Sequence, residues 1–121
     1  MQANNRDATS LWDMAQAIRR IQEFTQGASL EDYLASVFMQ SAVERQFEIL
    51  GEAARRISLE FQQAHTQIDW RNAIGLRNII AHRYEQVRQE VLWQILTTEL
   101  PGLLLQVEAL LPPLPEEEDE T

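Results

Sequence analysis

Arg77-Asn78-Ile79-Ile80-Ala81-His82-Arg83-Tyr84 gathers an arginine, an asparagine, a histidine five residues after the arginine and a tyrosine into one eight-residue window. These groups suit metal-free cleavage of RNA. An imidazole moves protons near neutral pH, a guanidinium stabilises charge on the phosphorane, and an amide orients the scissile phosphate or the imidazole. Each residue alone has a bland reading: His82 as a satisfied helix-end histidine, Arg77 as an ion-pair arginine, Asn78 as a helix-end polar residue, Tyr84 as a core-edge tyrosine. With ten arginines and two histidines in the chain, the Arg-to-His spacing by itself recurs easily by chance. The addition of Asn78 and Tyr84, both from scarce residue types, makes the set a motif rather than a coincidence.

Charge focuses attention on the same window. The 121-residue chain carries a net charge of -9, which argues against electrostatic grip on long nucleic acid. Five of its acids form the run Glu116-Glu117-Glu118-Asp119-Glu120. Between Arg71 and Arg88, by contrast, four arginines face the single acid Glu85. The chain has no lysine, so all of this positive charge is guanidinium, the form suited to bidentate phosphate contact. Arg71 and Arg83 are therefore candidate RNA-binding residues beside Arg77. There is no cysteine for a disulfide or thiolate site, and His65 and His82 lack the pairing of a metal motif, so neither metal nor cofactor is expected. His65 reads as a surface or loop residue. Glu44 and Glu52 read as solvated-face acids that pair along their helix, with Arg45 or with Arg55 and Arg56.

The elements that must position the motif are helical. All four prolines fall at or after position 101, leaving the first hundred residues without a strong helix breaker. Leu11, Met14, Ala15, Ile18 and Ile21 predict a helix from about Thr9 to Gln26, stopped by Gly27. Ser29 and Asp32 form a loose capping box that opens the next segment. Val43, Phe47, Leu50, Ala54, Ile57 and Phe61 predict one long helix. Asp69 caps the motif helix, and a last helix runs from about Gln89 to Leu111 with a kink near Leu100, where Pro101 removes a hydrogen bond. The expected architecture is one all-α domain, residues 1–111, a bundle of four to five helices. Residues 112–121 form a Pro-rich, acidic, disordered tail. No apolar run approaches the ~20 residues of a membrane span and residues 1–10 do not resemble a secretory signal, so a soluble, cytoplasmic protein is expected.

On an ideal helix Asn78 and His82 share a face, with Arg71 further back on it, while Arg77 lies about 140° from His82. Two arrangements bring arginine and histidine to one phosphate. Either the helix ends near His82, so that His82 and Tyr84 turn into an extended exit, or two copies of the segment face each other across a two-fold axis. The second would also provide a base for the 2′-hydroxyl and an acid for the leaving oxygen from one histidine per chain.

These residues resemble the HepT-like branch of the HEPN superfamily. Ala42-Val43-Glu44-Arg45 through Ile49-Leu50-Gly51-Glu52-Ala53-Ala54 looks like its long helix, Trp70-Arg71 through Tyr84 like its active-site segment, and Val91-Leu92-Trp93 with Glu99-Leu100-Pro101 like its final helix. The resemblance implies a HEPN-type bundle and a homodimeric, metal-independent endoribonuclease toxin of a type VII-like toxin-antitoxin system. Its partner would be an MntA-like nucleotidyltransferase antitoxin that transfers AMP to the motif tyrosine, here Tyr84. Arg83 stands where the family commonly has glycine, and Glu85-Gln86-Val87-Arg88 lacks an aspartate often found there. Two rival readings are a non-catalytic HEPN module that gives a nucleotidyltransferase its substrate-binding or dimerisation surface, and a plain structural bundle in which the motif only packs.

Overall fold

The computed structural model describes residues 4–82 and 85–113 and is all-α, with no strand among the described residues. Among the described residues seven helices follow one another: α1 (Asn5–Phe24), α2 (Leu30–Leu34), α3 (Val37–Arg56), α4 (Leu59–Ala64), α5 (Trp70–His82), α6 (Glu85–Thr98) and α7 (Leu100–Glu108). Five carry the bundle, and α2 and α4 are short connectors. No helix among the described residues is long and apolar enough to cross a membrane.

Local side-chain chemistry sets most of the boundaries. α1 begins four residues before the expected Thr9, because the Asn4 carboxamide accepts the Asp7 N–H at 2.8 Å and caps the helix there. Its stripe Leu11, Met14, Ala15, Ile18 and Ile21 is completely buried, and Gly27, at φ 76°, makes the turn after it. Ser29 and Asp32 form a reciprocal capping box on α2, with bonds of 3.0 and 3.1 Å. Asp69 accepts the Asn72 N–H at 3.1 Å at the head of α5, as its position predicts.

Two expected elements are divided. The apolar stripe from Val43 to Phe61 spans two helices, because Ile57 is extended and Ser58 caps α4 through the Phe61 N–H. The divide is held from a distance. The Asp7 carboxylate accepts both the N–H and the hydroxyl of Ser58, each at 2.7 Å, and Asp7 is only 1% exposed. The last segment is likewise two helices rather than one kinked helix. It starts at Glu85 and breaks at Glu99, and Pro101 falls in the first turn of α7, where its missing N–H has no intrahelical partner to lose.

α3 is the central helix, packed against α1 on one side and α5 on the other. Phe47, Leu50, Ala53 and Ala54 of α3 join one apolar cluster with the α1 stripe, Ala73 and Leu76 of α5, and Leu92 and Leu96 of α6. α7 closes the far side of α1, where Arg19 meets Glu108 at 2.8 Å and the Trp12 indole donates to the Pro112 carbonyl at 3.1 Å.

Asp7→Ala leaves the half-buried Ser58 N–H without its acceptor and removes two bonds to a charged group. It is expected to lower the unfolding free energy by about 2–4 kcal/mol, read as a fall in urea midpoint at constant m-value. Asp7→Asn, which keeps one acceptor, should lose less.

Candidate active site

The site is built where α3 and α5 cross. A methyl group at Gly51 would come within 3.1 Å of the Arg77 backbone nitrogen and 3.2 Å of its Cβ, so glycine is what lets the two backbones approach. The next residue, Glu52, therefore stands directly beside Arg77. Its Oε2 accepts Arg77 Nη1 at 2.5 Å while its Oε1 accepts Arg55 Nη2 at 2.7 Å, one carboxylate bridging two guanidiniums. The hydrogen bond from Arg55, with the charges of Arg55, Arg77 and Arg56, holds the Glu52 carboxyl below its ordinary value of 4.5.

Arg77 remains 46% exposed, and with one Nη on Glu52 it still has donors to offer. Beside it runs a half-open groove of about 670 Å³, walled by Arg45, Glu48, Glu52 and Arg56 of α3 and by Arg77 and Asn78 of α5. The helix that carries Arg77 and Asn78 is described as far as His82. The side chain of His82, and Arg83 and Tyr84 altogether, lie outside the described residues. Arg71 does not join the groove: it is exposed on a separate, shallower one with Asp69, Gly75 and Ile79.

The end of α5 is fastened from below by a polar chain. Arg88 Nη1 donates to the Ile80 carbonyl at 3.0 Å, and its Nε lies 3.6 Å from Glu44. Gln89 donates to the same Glu44 oxygen at 3.0 Å and accepts the Tyr33 hydroxyl. Burial first, then the Glu44 charge, pushes the Tyr33 hydroxyl far above the ordinary tyrosine value, so it stays a neutral donor.

Glu44 thus corrects the reading of it as a solvated acid paired with Arg45. Its side chain is only 19% exposed, and Arg45 pairs instead with Glu48 at 3.4 Å. Around α3, Glu44 stands at the edge of the buried stripe that holds Val43 and Phe47, where it is half-buried. Glu52 does pair with Arg55 as expected, but its reach to Arg77 depends on a second helix and has no sequence signal. Of the basic stretch, Arg88 is half-buried and committed to structure. His65 lies at the C-terminal end of α4, its ring 4.2 Å from that of Phe61.

The chain resembles known proteins over most of its length. A family model described as ribonuclease HepT-like matches residues 14–110. A Thermococcus cleftensis protein named "Probable ribonuclease HepT" is 38% identical over 100 residues, covering 83% of this chain and 91% of that protein. Two provisionally named RNases are also similar. That of Methanocaldococcus jannaschii is 31% identical over 81% of this chain and 90% of its own. That of Caldanaerobacter subterraneus subsp. tengcongensis is 32% identical over 74% and 80%. No solved structure matches the chain.

Two outcomes test the crossing. By carbon-detected NMR, Glu52 should titrate below 4.5, and Arg55→Ala or Arg77→Ala should move it back upward. Because the folded value is lowered, the ion pairs contribute fully above the ordinary glutamate range and fade as pH falls through the lower folded value. Gly51→Val should force α5 outward, costing about 1–3 kcal/mol by overpacking. It should also raise the Glu52 titration point as Arg77 withdraws.

Proposed function

Because the chain belongs to the HepT-like ribonuclease family, we propose that it is a metal-independent endoribonuclease toxin whose site is the α3–α5 groove completed by His82. The observation that carries this reading is the placing of Arg77 and Asn78 together on one groove, on the helix whose sequence runs on to His82. In the proposed reaction a base removes the 2′-hydroxyl proton and the 2′-oxygen attacks the adjacent phosphorus. The bond to the 5′-oxygen breaks as an acid protonates it, leaving a 2′,3′-cyclic phosphate and a 5′-hydroxyl. Arg77 stabilises the phosphorane, Asn78 orients the phosphate or the imidazole, and His82 transfers protons.

In an in-line attack the 2′-oxygen and the leaving 5′-oxygen lie on opposite sides of the phosphorus, so base and acid are two separate groups, and the active form is a homodimer in which two motif segments face each other. Positions 77 and 82 differ by about 140° around α5, which also favours supply of arginine and histidine from different copies. The protein acts in the cytoplasm, opposed by an MntA-like nucleotidyltransferase that transfers AMP from ATP to Tyr84. The adduct brings a phosphate's negative charge and an adenosine to the mouth of the groove, where Arg77 would bind it in place of RNA.

Purified protein is expected to cleave RNA in excess EDTA to fragments ending in 2′,3′-cyclic phosphate, and to run near twice the 14.0 kDa chain mass by light scattering. His82→Ala should lose ~10²- to 10⁴-fold in rate with folding intact. Arg77→Lys should be severely impaired, since a point charge does not replace the guanidinium fork. A requirement for added divalent metal would sink the mechanism, and an inert but partner-binding protein would favour the non-catalytic module. With its nucleotidyltransferase, ATP and Mg²⁺, the protein should gain AMP on Tyr84 by mass spectrometry, while Tyr84→Phe stays active. Neutralisation without an adduct would mean inhibition by binding alone.

A further inference from the structure

We propose that the α3 wall of the groove is a track for single-stranded RNA, with Arg45 and Arg56 holding phosphates on either side of the one at Arg77. This deepens the ribonuclease reading and rests on it for the identity of the ligand. The first support is the charge of the groove. Among the described residues, three guanidiniums, Arg45, Arg56 and Arg77, face two carboxylates, Glu48 and Glu52, in a chain whose overall charge is -9. The neighbouring grooves differ. Among the described residues one is lined by Asp69 and Glu99 with no arginine, and the other sets Arg71 against Asp69.

The second support is register. Arg45, Glu52 and Arg56 are seven and then four residues apart, which places all three within about 20° of one line along α3. At ~1.5 Å per residue Glu52 lies about 10 Å beyond Arg45, and Arg56 about 6 Å further. Arg77 is bound at Glu52, so the guanidiniums follow the order Arg45, Arg77, Arg56 along roughly 16 Å, room for a short run of an extended single strand.

The third support is availability. Arg56 is exposed and makes no ion pair within 4 Å among the described residues. Arg45 is 69% exposed, and its pair with Glu48 is long and at the surface, so it is cheaply exchanged for a phosphate. Arg55, in contrast, is spent on Glu52. Between the charges, Ile49 and Ile80 line the groove and give bases an apolar surface to pack on. A basic groove with apolar patches fits a single strand taken largely without regard to sequence.

The test uses the His82→Ala protein, so that RNA is bound but not cut, and a fluorescein-labelled twelve-nucleotide RNA without secondary structure. Affinity is measured by anisotropy over a series of NaCl concentrations. Arg45→Gln and Arg56→Gln should each weaken binding severalfold and flatten the slope of log K against log salt by ~0.7, the loss of one phosphate contact on a single strand. Arg20→Gln, exposed on α1 away from the groove, should change neither. In cleaving protein the two groove variants should raise KM and leave kcat within a few-fold. Unchanged slopes in both variants, no RNA binding, or equal competition by polyglutamate would overturn the track. Flattened slopes in a protein that cuts no RNA would uphold the track and reject the ribonuclease reading.

Discussion

The contact at Gly51 governs the geometry of everything around it. α3 is the central helix, and α5 can lie close against it only where one of the two presents no side chain. That point falls opposite Arg77, so a close approach of the two backbones is also where the motif arginine leaves its helix. Glu52, next in sequence, then needs no extension to meet the guanidinium. Close packing fixes the Cα of Arg77, and the ion pair fixes its far end. An arginine held at both ends has less side-chain entropy to lose when a phosphate arrives, which is the form of preorganisation that catalysis rewards.

A second restraint acts on the other end of α5. Arg88 of α6 captures the Ile80 carbonyl, and its own position is set by Glu44, Gln89 and the buried Tyr33 hydroxyl. A main-chain carbonyl has two lone pairs, and a guanidinium is well suited to serve one of them. The two polar clusters differ in environment. The Glu52 cluster opens on the groove and exchanges with solvent, whereas the Glu44 cluster is largely enclosed and contributes rigidity.

What could be read from the sequence followed from how local the determining chemistry is. The α1 stripe, the Ser29 box and the Asp69 cap rest on residues three or four apart, and the structure has all of them. The break at Ser58 has no local signal, since the Asp7 carboxylate that holds it lies 51 residues away. Pro101 signalled a disturbance, but whether it gives a kink or a new helix depends on whether the turn before it stays wound. At the site, Arg77 and Asn78 share a groove as their neighbourhood in sequence suggests, while Arg71 belongs to another surface. Glu44 stands at the edge of the buried stripe, and its partners Arg88 and Gln89 come from another helix, so its enclosure has no local signal. The motif positions from the His82 side chain through Tyr84 lie outside the described residues, and their roles rest on chemistry and kinship.

The shared carboxylate of Glu52 has an evolutionary corollary. Arg55 belongs to no motif and sits on an exposed helix face, where substitutions are ordinarily neutral. Through Glu52 it is nonetheless electrically tied to Arg77, so exchanging Arg55 alters how much negative charge the motif arginine must balance. Positions 55 and 77 are therefore epistatic. A lineage can drift at a surface residue and thereby retune its site without touching the motif, and the tolerance of one position is readable only against the residue held at the other.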